Sequence, residues 1–295
     1  MLSILIPVYN YAVLPLVSEL VKQCTTCGIN FEILCYDDAS TIFIKENQEI
    51  NLLQNCSFIV LEKNIGRSAI RNLLAKKAIY DNLLFLDADT IPVNESFISY
   101  YISQIDADEK VIYGGILYEN IKPPKNELLR YIYGKKREAL KVTERKKNPH
   151  LAFLSLNFLI KKSVFSKVCF NEDIPNLRHE DTLFSFELKE KQVEIVHIEN
   201  PAYHLGIEDS KTFLRKSEEA VLGLKHLVDS NLMPSDYVKL SQYFETIKKY
   251  RLRNFVAFGF KVSKPWLKNQ LLSKNPSLFL FDIYRLSYYC TLKTD

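Results

Sequence analysis

The chain has 295 residues, of which 47% are hydrophobic and 25% charged, a composition that excludes a disordered chain and allows one large domain with an appendage or two smaller ones. The net charge of +4 conceals segregation, because residues 120–150 and 245–295 each hold ten Lys or Arg and three acids. These two basic segments indicate anionic partners, and solvated helix faces are the alternative explanation for each.

The six cysteines are scattered, and no run of eighteen apolar residues occurs. The apolar segment 2–8 is too short for a secretory leader and lacks a basic flank. We therefore expect a cytoplasmic protein without a membrane-spanning helix. Cys24 and Cys27 invite a zinc or redox interpretation, but no second pair lies at a usable distance, so buried or unused thiols are expected.

Strand and helix patterns alternate through the first half of the chain. Short apolar segments predict strands at 3–7, 31–36, 58–61, 83–86 and 111–117. Helical patterns lie near 13–24, 42–53, 67–80 and 94–105. This alternation predicts an α/β fold with a mostly parallel, doubly wound sheet flanked by helices.

The alternation breaks after residue 117. Residues 120–150 are polar and basic with prolines near both ends, which predicts an insert or mobile flap. Further on, the patterns predict a strand at 152–160, a helix at 181–191, a strand at 193–198 and helices from about 211. We therefore predict a first domain over 1–210 and a helical C-terminal extension over 211–295.

The strand predicted at 83–86 ends in two carboxylates, Asp87 and Asp89, which only Ala88 separates. Ligands of open α/β sheets bind at the carboxyl ends of the strands. Two acids this close repel each other and need a counter-charge, for which a divalent cation with oxygen ligands is the usual choice. The sequence therefore predicts a metal site, and a metal in this position usually holds a phosphate.

Four further motifs fall at predicted element ends. They are Pro-Val-Tyr-Asn at 7–10, Asp-Asp-Ala-Ser at 37–40, Asn-Ile-Gly-Arg-Ser-Ala-Ile-Arg-Asn at 64–72 and Glu-Asp at 180–181. Together with Asp-Ala-Asp at 87–89, their order and spacing resemble the bacterial family-two glycosyltransferases. That family has the Rossmann-like GT-A fold of nucleotide-diphospho-sugar transferases, and the resemblance covers roughly residues 1–210.

The resemblance implies a role for each motif. Asp89 would bind Mn²⁺ or Mg²⁺, Asp87 would contact the donor ribose and support the metal, and His204 would complete the metal shell. Asp181 would be the catalytic base, and Glu180 would orient the acceptor or the sugar. The nucleotide-sugar pocket would be formed by Pro7, Tyr9, Asp38, Gly66, Arg71, Asp87 and Ala88.

Several of these residues also have a purely structural explanation. Tyr9 could pack at a strand end, and Arg71 could be a surface arginine paired with a carboxylate. Glu180 and Asp181 could cap a helix and favour its dipole. These alternatives stay open at the level of the sequence.

The resemblance implies an inverting, metal-dependent transfer of a hexosyl or N-acetylhexosaminyl group from a nucleoside diphosphate. The acceptor would be a hydroxyl of a surface polysaccharide or of a lipid-linked glycan. UDP is the expected nucleotide, with GDP and dTDP left open. One alternative is a haloacid dehalogenase-like phosphatase that uses Asp87 as nucleophile. A non-catalytic sugar-nucleotide-binding subunit of a glycan assembly system is another.

Aromatic and basic residues interleave over 245–295. This pattern suits the headgroup layer of an anionic membrane, and packing of the aromatic residues on the rest of the protein is the alternative. Peripheral attachment to the inner face of the cell membrane is therefore an open prediction for this segment. Nucleic acid is not an expected partner, since no recognised binding module occurs.

Overall fold

The computed structural model describes residues 1–121 and 123–293. Lys122 of the predicted insert and the last two residues of the predicted extension lie outside these ranges. The chain divides into two compact units, and the second begins within the predicted insert. The first unit comprises Met1–Glu119, Ala139–Asp173 and Glu180–Gly206, and the second comprises Asn120–Glu138, Ile174–His179 and the chain from Ile207 onward.

The first unit is built from short strands and helices in alternation. Its strands are β1 (Leu2–Val8), β2 (Phe31–Asp37), β3 (Cys56–Val60), β4 (Asn82–Leu86), β5 (Thr90–Pro92), β6 (Lys110–Tyr113), β7 (Ile116–Leu117), β8 (Asn157–Lys161), β9 (Glu194–His197) and β10 (Ala202–His204). Its helices are α1 (Leu14–Thr26), α2 (Ile44–Gln48), α3 (Arg67–Lys77), α4 (Phe97–Ser103), α6 (Val142–Arg145), α7 (Lys162–Phe165) and α8 (Glu180–Glu190). A short helix of the second unit, α5 (Leu128–Tyr133), precedes α6 in the chain.

Seven of these strands form one large sheet. Their order is β3-β2-β1-β4-β8-β6-β9. Strand β8 runs antiparallel to β4 and β6, and the other neighbouring pairs are parallel. The prediction of a mostly parallel sheet flanked by helices is therefore confirmed.

The sheet is covered on both faces, which explains the unbroken apolar run in β4. Successive side chains of a strand point to opposite faces. Leu84 and Leu86 therefore join the apolar cluster that contains α1 and α4. Leu83 and Phe85 join the cluster that contains α3 and α8. Strand β4 is held firmly on both sides, which fixes the position of the loop that follows it.

A second sheet of three short strands has the order β5-β10-β7. The sequence predicts residues 111–117 as one strand, but the structure divides them between β6 of the large sheet and β7 of the small one. The break falls at Gly114 and Gly115, where a Cβ on Gly114 would lie 2.3 Å from the Asn200 carbonyl oxygen. Gly115 has a φ of +89°, a conformation that favours glycine. The glycine pair therefore redirects the chain into the small sheet.

The second unit is helical. After α5, its helices are α9 (Ser210–Asp229), α10 (Lys239–Lys249), α11 (Arg253–Leu271) and α12 (Leu278–Thr291). Seven buried residues from four of these helices form its core, namely Leu129, Leu214, Phe260, Leu267, Leu271, Phe281 and Tyr284. This unit contains the predicted helical C-terminal region.

None of the helices in the described parts of the chain is both long enough and apolar enough to span a membrane.

Candidate functional site

The carboxyl ends of β1, β2 and β4 lie side by side in the large sheet. Val8 is the register partner of Asp37, and the Asp38 N–H donates to the Val8 carbonyl at 2.8 Å. Strand β4 pairs with β1 and ends at Leu86, so Asp87 begins the loop beyond the neighbouring strand. The motifs at 7–10, 37–40 and 87–89 therefore meet at one edge of the sheet, where α/β proteins bind ligands.

Arg71 joins the acidic residues of two motifs. Its guanidinium donates to Asp87 Oδ1 at 2.8 Å and lies 3.7 Å from Glu180 Oε1. The Arg71 side chain is only 5% exposed, and its guanidinium carbon lies 5.4 Å from the centre of the Phe170 ring. Burial lowers the pKa of Arg71, but the negative charges of Asp87 and Glu180 outweigh this and raise the pKa above its ordinary value. The guanidinium therefore stays charged and ties Asp87 to Glu180.

Asp89 faces a different partner. Its Oδ2 lies 3.4 Å from His204 Nε2. The backbone carbonyl of Asp89 accepts a hydrogen bond from the Leu205 N–H at 2.7 Å. Thr90 and His204 are register partners in the antiparallel pair of β5 and β10. The small sheet therefore brings together a carboxylate and an imidazole that are far apart in the sequence.

Gly206 leaves room for the Asp89 carboxylate. A Cβ at position 206 would lie 2.0 Å from Asp89 Oδ2, much closer than a non-bonded contact allows. The buried Tyr118 ring lies 5.4 Å from the His204 ring, measured between centroids. The sequence alone assigns no role to Gly206 or Tyr118. The feature of the sequence that could have pointed to Gly206 is its position two residues after His204.

Asp89 and His204 are the residues that could hold a divalent ion. Two neighbouring ligands that each bind one ion at about 2.1 Å lie roughly 3 Å apart in an octahedral shell. The separation of 3.4 Å between Asp89 Oδ2 and His204 Nε2 is close to that value. His204 Nδ1 is buried without a hydrogen-bond partner among residues 1–121 and 123–293, and the tautomer with the ring proton on Nδ1 would leave the Nε2 lone pair for an ion. The pair therefore fits the metal that the resemblance implies.

The structure brings together two of the three predicted metal ligands. Within the described residues, no group of three or more His, Cys, Asp or Glu side chains is arranged to hold a metal. The third predicted ligand, Asp87, accepts a hydrogen bond from the Arg71 guanidinium at its Oδ1. An ion between Asp89 and His204 would have coordination positions left for a donor diphosphate and water.

Glu180 and Asp181 lie in the first turn of α8. Burial raises the pKa of Asp181 to about 6, and the negative charge of Glu180 contributes in the same direction. A carboxyl group with this pKa is ionised at neutral pH and is a competent proton acceptor there. Negative charges in the first turn of a helix also interact favourably with the helix dipole. The structural explanation for Glu180 and Asp181 therefore stays open as well.

The two aspartates after β2 have different partners. Asp37 is fully buried and accepts hydrogen bonds from the backbone N–H and the hydroxyl of Ser40, so it shapes the turn. Asp38 accepts from the N–H groups of Ile65 and Gly66 at 2.6 and 3.0 Å. Gly66 has a φ of +86° directly before α3, where glycine is favoured. Since a carboxylate offers about four lone pairs, Asp38 retains acceptor capacity for a ligand.

The remaining predicted pocket residues differ in exposure. Tyr9 is 57% exposed, Pro7 is half-buried, and Ala88, between the two aspartates in the sequence, is buried. Tyr11 has no role in the sequence prediction. Burial raises its pKa, and the negative charge of Asp89 raises it further, so Tyr11 belongs to the surroundings of that carboxylate.

A comparison with protein families tests the resemblance directly. The profile described as Glycosyl transferase family 2 matches residues 3–169, which is more than half of the chain. The chain belongs to glycosyl transferase family 2. Family membership supports glycosyltransferase activity, and the matched range contains Asp38, Arg71, Asp87 and Asp89 but ends before Asp181 and His204. No curated protein matches the chain.

Solved structures show the same fold at low sequence identity. TarS of S. aureus is 19% identical with a TM-score of 0.51, over 76% of this chain and 39% of TarS. Residues 1–349 of TarS in complex with UDP-GlcNAc are 18% identical with a TM-score of 0.50, over 98% of this chain and 89% of that one. The mannosyltransferase PcManGT of Pyrobaculum calidifontis, in complex with GDP-Man and Mn²⁺, is 14% identical with a TM-score of 0.54, over 77% and 64%.

These likenesses confirm the predicted GT-A fold. The protein described here spans only 39% of the full TarS chain and 64% of the mannosyltransferase chain.

Proposed function

We propose that the protein transfers a sugar from a nucleoside diphosphate to a hydroxyl group of a glycan, with inversion at the anomeric carbon. The observation that carries this proposal is the pairing of Asp89 with His204 at the edge of the sheet. Family membership supports it, as do neighbours of the same fold that were solved with UDP-GlcNAc and with GDP-Man plus Mn²⁺.

In this proposal Asp89 and His204 would hold Mn²⁺ or Mg²⁺. When bound, the ion would supply positive charge against the donor diphosphate, whose negative charge grows as it departs. The nucleoside lies among the residues at the carboxyl ends of β1 and β2, where Tyr9 can stack on the base and Asp38 can accept hydrogen bonds from it. The pocket is completed by Pro7, Gly66, Asp87 and Ala88. UDP is the preferred nucleotide, and GDP and dTDP are the alternatives.

Asp181 is the proposed base. The acceptor hydroxyl oxygen forms a bond to the anomeric carbon while the bond between that carbon and the diphosphate oxygen breaks. The hydroxyl proton goes to the Asp181 carboxylate, and the diphosphate leaves with the electron pair. A single displacement of this kind inverts the anomeric centre. Proton removal by a positioned base typically contributes about 10²–10⁴-fold in rate.

Arg71 acts as a positioning residue in this scheme. Because its guanidinium lies between Asp87 and Glu180, it links the loop after β4 with the start of α8. Glu180 is then fixed where it can orient the acceptor or the sugar, one residue before the base. This role differs from the direct nucleotide contact that the resemblance implies for Arg71.

The acceptor in this proposal is a hydroxyl of a surface polysaccharide or of a lipid-linked glycan, and the transferred group is a hexosyl or N-acetylhexosaminyl unit. All six cysteines are free thiols. Free thiols are the form expected in a reducing compartment, which supports a cytoplasmic location.

The test compares Asp181→Asn with Asp81→Asn, a matched change at an exposed aspartate outside the site. We expect Asp181→Asn to lower sugar transfer by about 10²-fold or more while Mn²⁺-dependent nucleotide binding is kept. Asp81→Asn should leave both unchanged. Full transfer activity in Asp181→Asn contradicts the base assignment. A wild-type protein that binds the nucleotide sugar without transfer or hydrolysis would instead be a non-catalytic subunit, and a trapped phospho-aspartate at Asp87 would establish the phosphatase.

A further inference from the structure

Helix α11 carries two apolar stripes, and only one of them is buried. Phe260, Leu267 and Leu271 follow one another at helical spacing and belong to the core of the second unit. A second stripe consists of four large apolar residues that are between 61% and 77% exposed, namely Phe255, Phe258, Val262 and Trp266. Their spacing of three, four and four residues places them on one face of the helix. We call this second stripe the outer face of α11.

The exposure of this face is unusual, because polar residues at these four positions would leave the buried core of the second unit unchanged. Other aromatic residues of the same region do pack internally. Phe281, Tyr284 and Tyr289 are buried, and the Phe244 and Tyr289 rings stack with centroids 4.2 Å apart. Clustered exposed apolar residues on a folded protein mark an interaction surface.

The charge around the outer face identifies its partner. Residues 246–281 contain six Lys and two Arg and no Asp or Glu. Three of the eight are used internally, since Lys248 pairs with Glu245 at 3.6 Å, Lys264 pairs with Glu218 at 3.0 Å and Arg253 donates to the Cys290 carbonyl. In contrast, five cations have no acidic partner within 4 Å among the residues that the structure describes, and these are Lys249, Arg251, Lys261, Lys268 and Lys274.

We propose that the outer face of α11 docks on the surface of an anionic lipid bilayer. Phe255, Phe258 and Trp266 would enter the boundary between headgroups and acyl chains, and Lys261 and Lys268 would contact the anionic headgroups. A second copy of the chain is a poor occupant, because it would bring the same uncompensated positive charge to the interface. A soluble anionic polymer would satisfy the lysines but would leave the aromatic side chains in water.

Trp266 is the only tryptophan in the chain, so its fluorescence reports on this face alone. The experiment adds vesicles of phosphatidylcholine, with or without phosphatidylglycerol, to the full-length protein and records Trp emission and co-flotation. We expect a blue shift and co-flotation only with phosphatidylglycerol, and both should weaken at high salt, which screens exposed charges.

Two variants and one control complete the design. Lys261→Ser with Lys268→Ser should lower the vesicle partition coefficient by about tenfold or more. Phe255→Ser with Phe258→Ser should reduce both co-flotation and the blue shift while it keeps Trp266 as the reporter. The matched control, Leu52→Ser with Ile79→Ser, removes two exposed apolar residues of the first unit and should bind vesicles like the wild type.

Four results would overturn the proposal. The first is an unchanged emission spectrum with phosphatidylglycerol vesicles. The second is equal binding to both vesicle types. The third is a blue shift that depends on protein concentration without vesicles, which would assign the face to a second copy of the chain. The last is polyphosphate binding that depends on Lys261 and Lys268 while vesicles fail to bind, which would assign the face to a soluble polyanion.

Discussion

The sheet edge of the first unit and the outer face of α11 in the second both concentrate charge, but they differ in how the charge is compensated. At the sheet edge, Asp87 and Glu180 share the buried guanidinium of Arg71, whereas the Asp89 carboxylate lies beside the His204 imidazole. On α11, Lys261 has no acidic partner among the described residues. Compensated charge holds the protein together, and uncompensated charge is available to a ligand.

The basic segments 120–150 and 245–295 have equal net charges in the sequence, but they differ in which of their cations are paired. In the segment 120–150, Arg130 pairs with Glu138 and Arg137 with Asp282, at 3.0 and 2.7 Å. Arg145 is fully buried, and its guanidinium donates to backbone carbonyls of the first unit. These three arginines are therefore occupied within the protein, and the anionic partner predicted for this segment stays a prediction. The predictions below test this distinction.

Arg71 should give the largest effect, because it is the most strongly compensated charge. Arg71→Met leaves Asp87 and Glu180 without their counter-charge, and we expect the free energy of unfolding to fall by about 3 kcal/mol. Arg71→Lys keeps the charge but not the planar fork and should cost less. Denaturant unfolding of both variants measures the difference. Equal stability of Arg71→Met and the wild type would show that this compensation contributes nothing.

A substitution at Gly206 tests whether the Asp89 carboxylate binds the ion. In Gly206→Ala the new Cβ would meet Asp89 Oδ2, so the carboxylate must turn away from His204. We expect the affinity for Mn²⁺ together with nucleotide to fall roughly 10–100-fold, as when the support of a metal ligand is lost. Gly259→Ala is the matched control, since a Cβ there meets nothing within 4 Å. Titration calorimetry gives both affinities, and unchanged binding in Gly206→Ala would disconnect Asp89 from the ion.

The pH dependence of turnover tests the base. Because burial and Glu180 raise the pKa of Asp181 to about 6, kcat/KM should fall about tenfold per pH unit below that value, as the carboxylate takes up a proton. Glu180→Gln removes a negative charge that raises this pKa, so the acid limb should move to lower pH. A limb that stays in place, or moves upward, argues against Asp181 as the titrating group.

The smallest effect is expected for a charge that is paired at the surface. Arg137 and Asp282 are each about half exposed, and such pairs contribute less than about 1 kcal/mol. Arg137→Gln should therefore leave the free energy of unfolding and vesicle binding nearly unchanged, whereas Lys261→Gln should weaken vesicle binding. A loss of vesicle binding in Arg137→Gln would remove the contrast between paired and unpaired cations.

Much of the fold follows from local patterns. The short apolar runs predict β1, β2 and β4 within one or two residues of their observed bounds, since period and length identify buried strands. The small sheet is not predictable in this way. Strands of two or three residues carry almost no pattern, and the division of residues 111–117 depends on Asn200, which lies far along the chain.

In the candidate site, too, some features follow from local sequence patterns and others depend on tertiary contacts. Motifs at strand ends can be read from the sequence because the strand itself positions them, as for Asp38 and Asp87. The partners of each charge cannot be read, because they depend on tertiary contacts. The sequence therefore groups Asp87 with Asp89, whereas the structure pairs one with Arg71 and the other with His204. Gly206 and Tyr118 escape notice because their contribution is space and packing.

One measurement tests the central claim most directly, which is that Asp89 holds a cation that in turn holds a diphosphate. UDP binding is titrated with and without Mn²⁺ for the wild type, for Asp89→Asn and for Asp108→Asn, a matched change at an exposed aspartate. The account predicts Mn²⁺-dependent binding in the wild type and in Asp108→Asn, and its loss in Asp89→Asn. Mn²⁺-dependent UDP binding that Asp89→Asn leaves intact would contradict it.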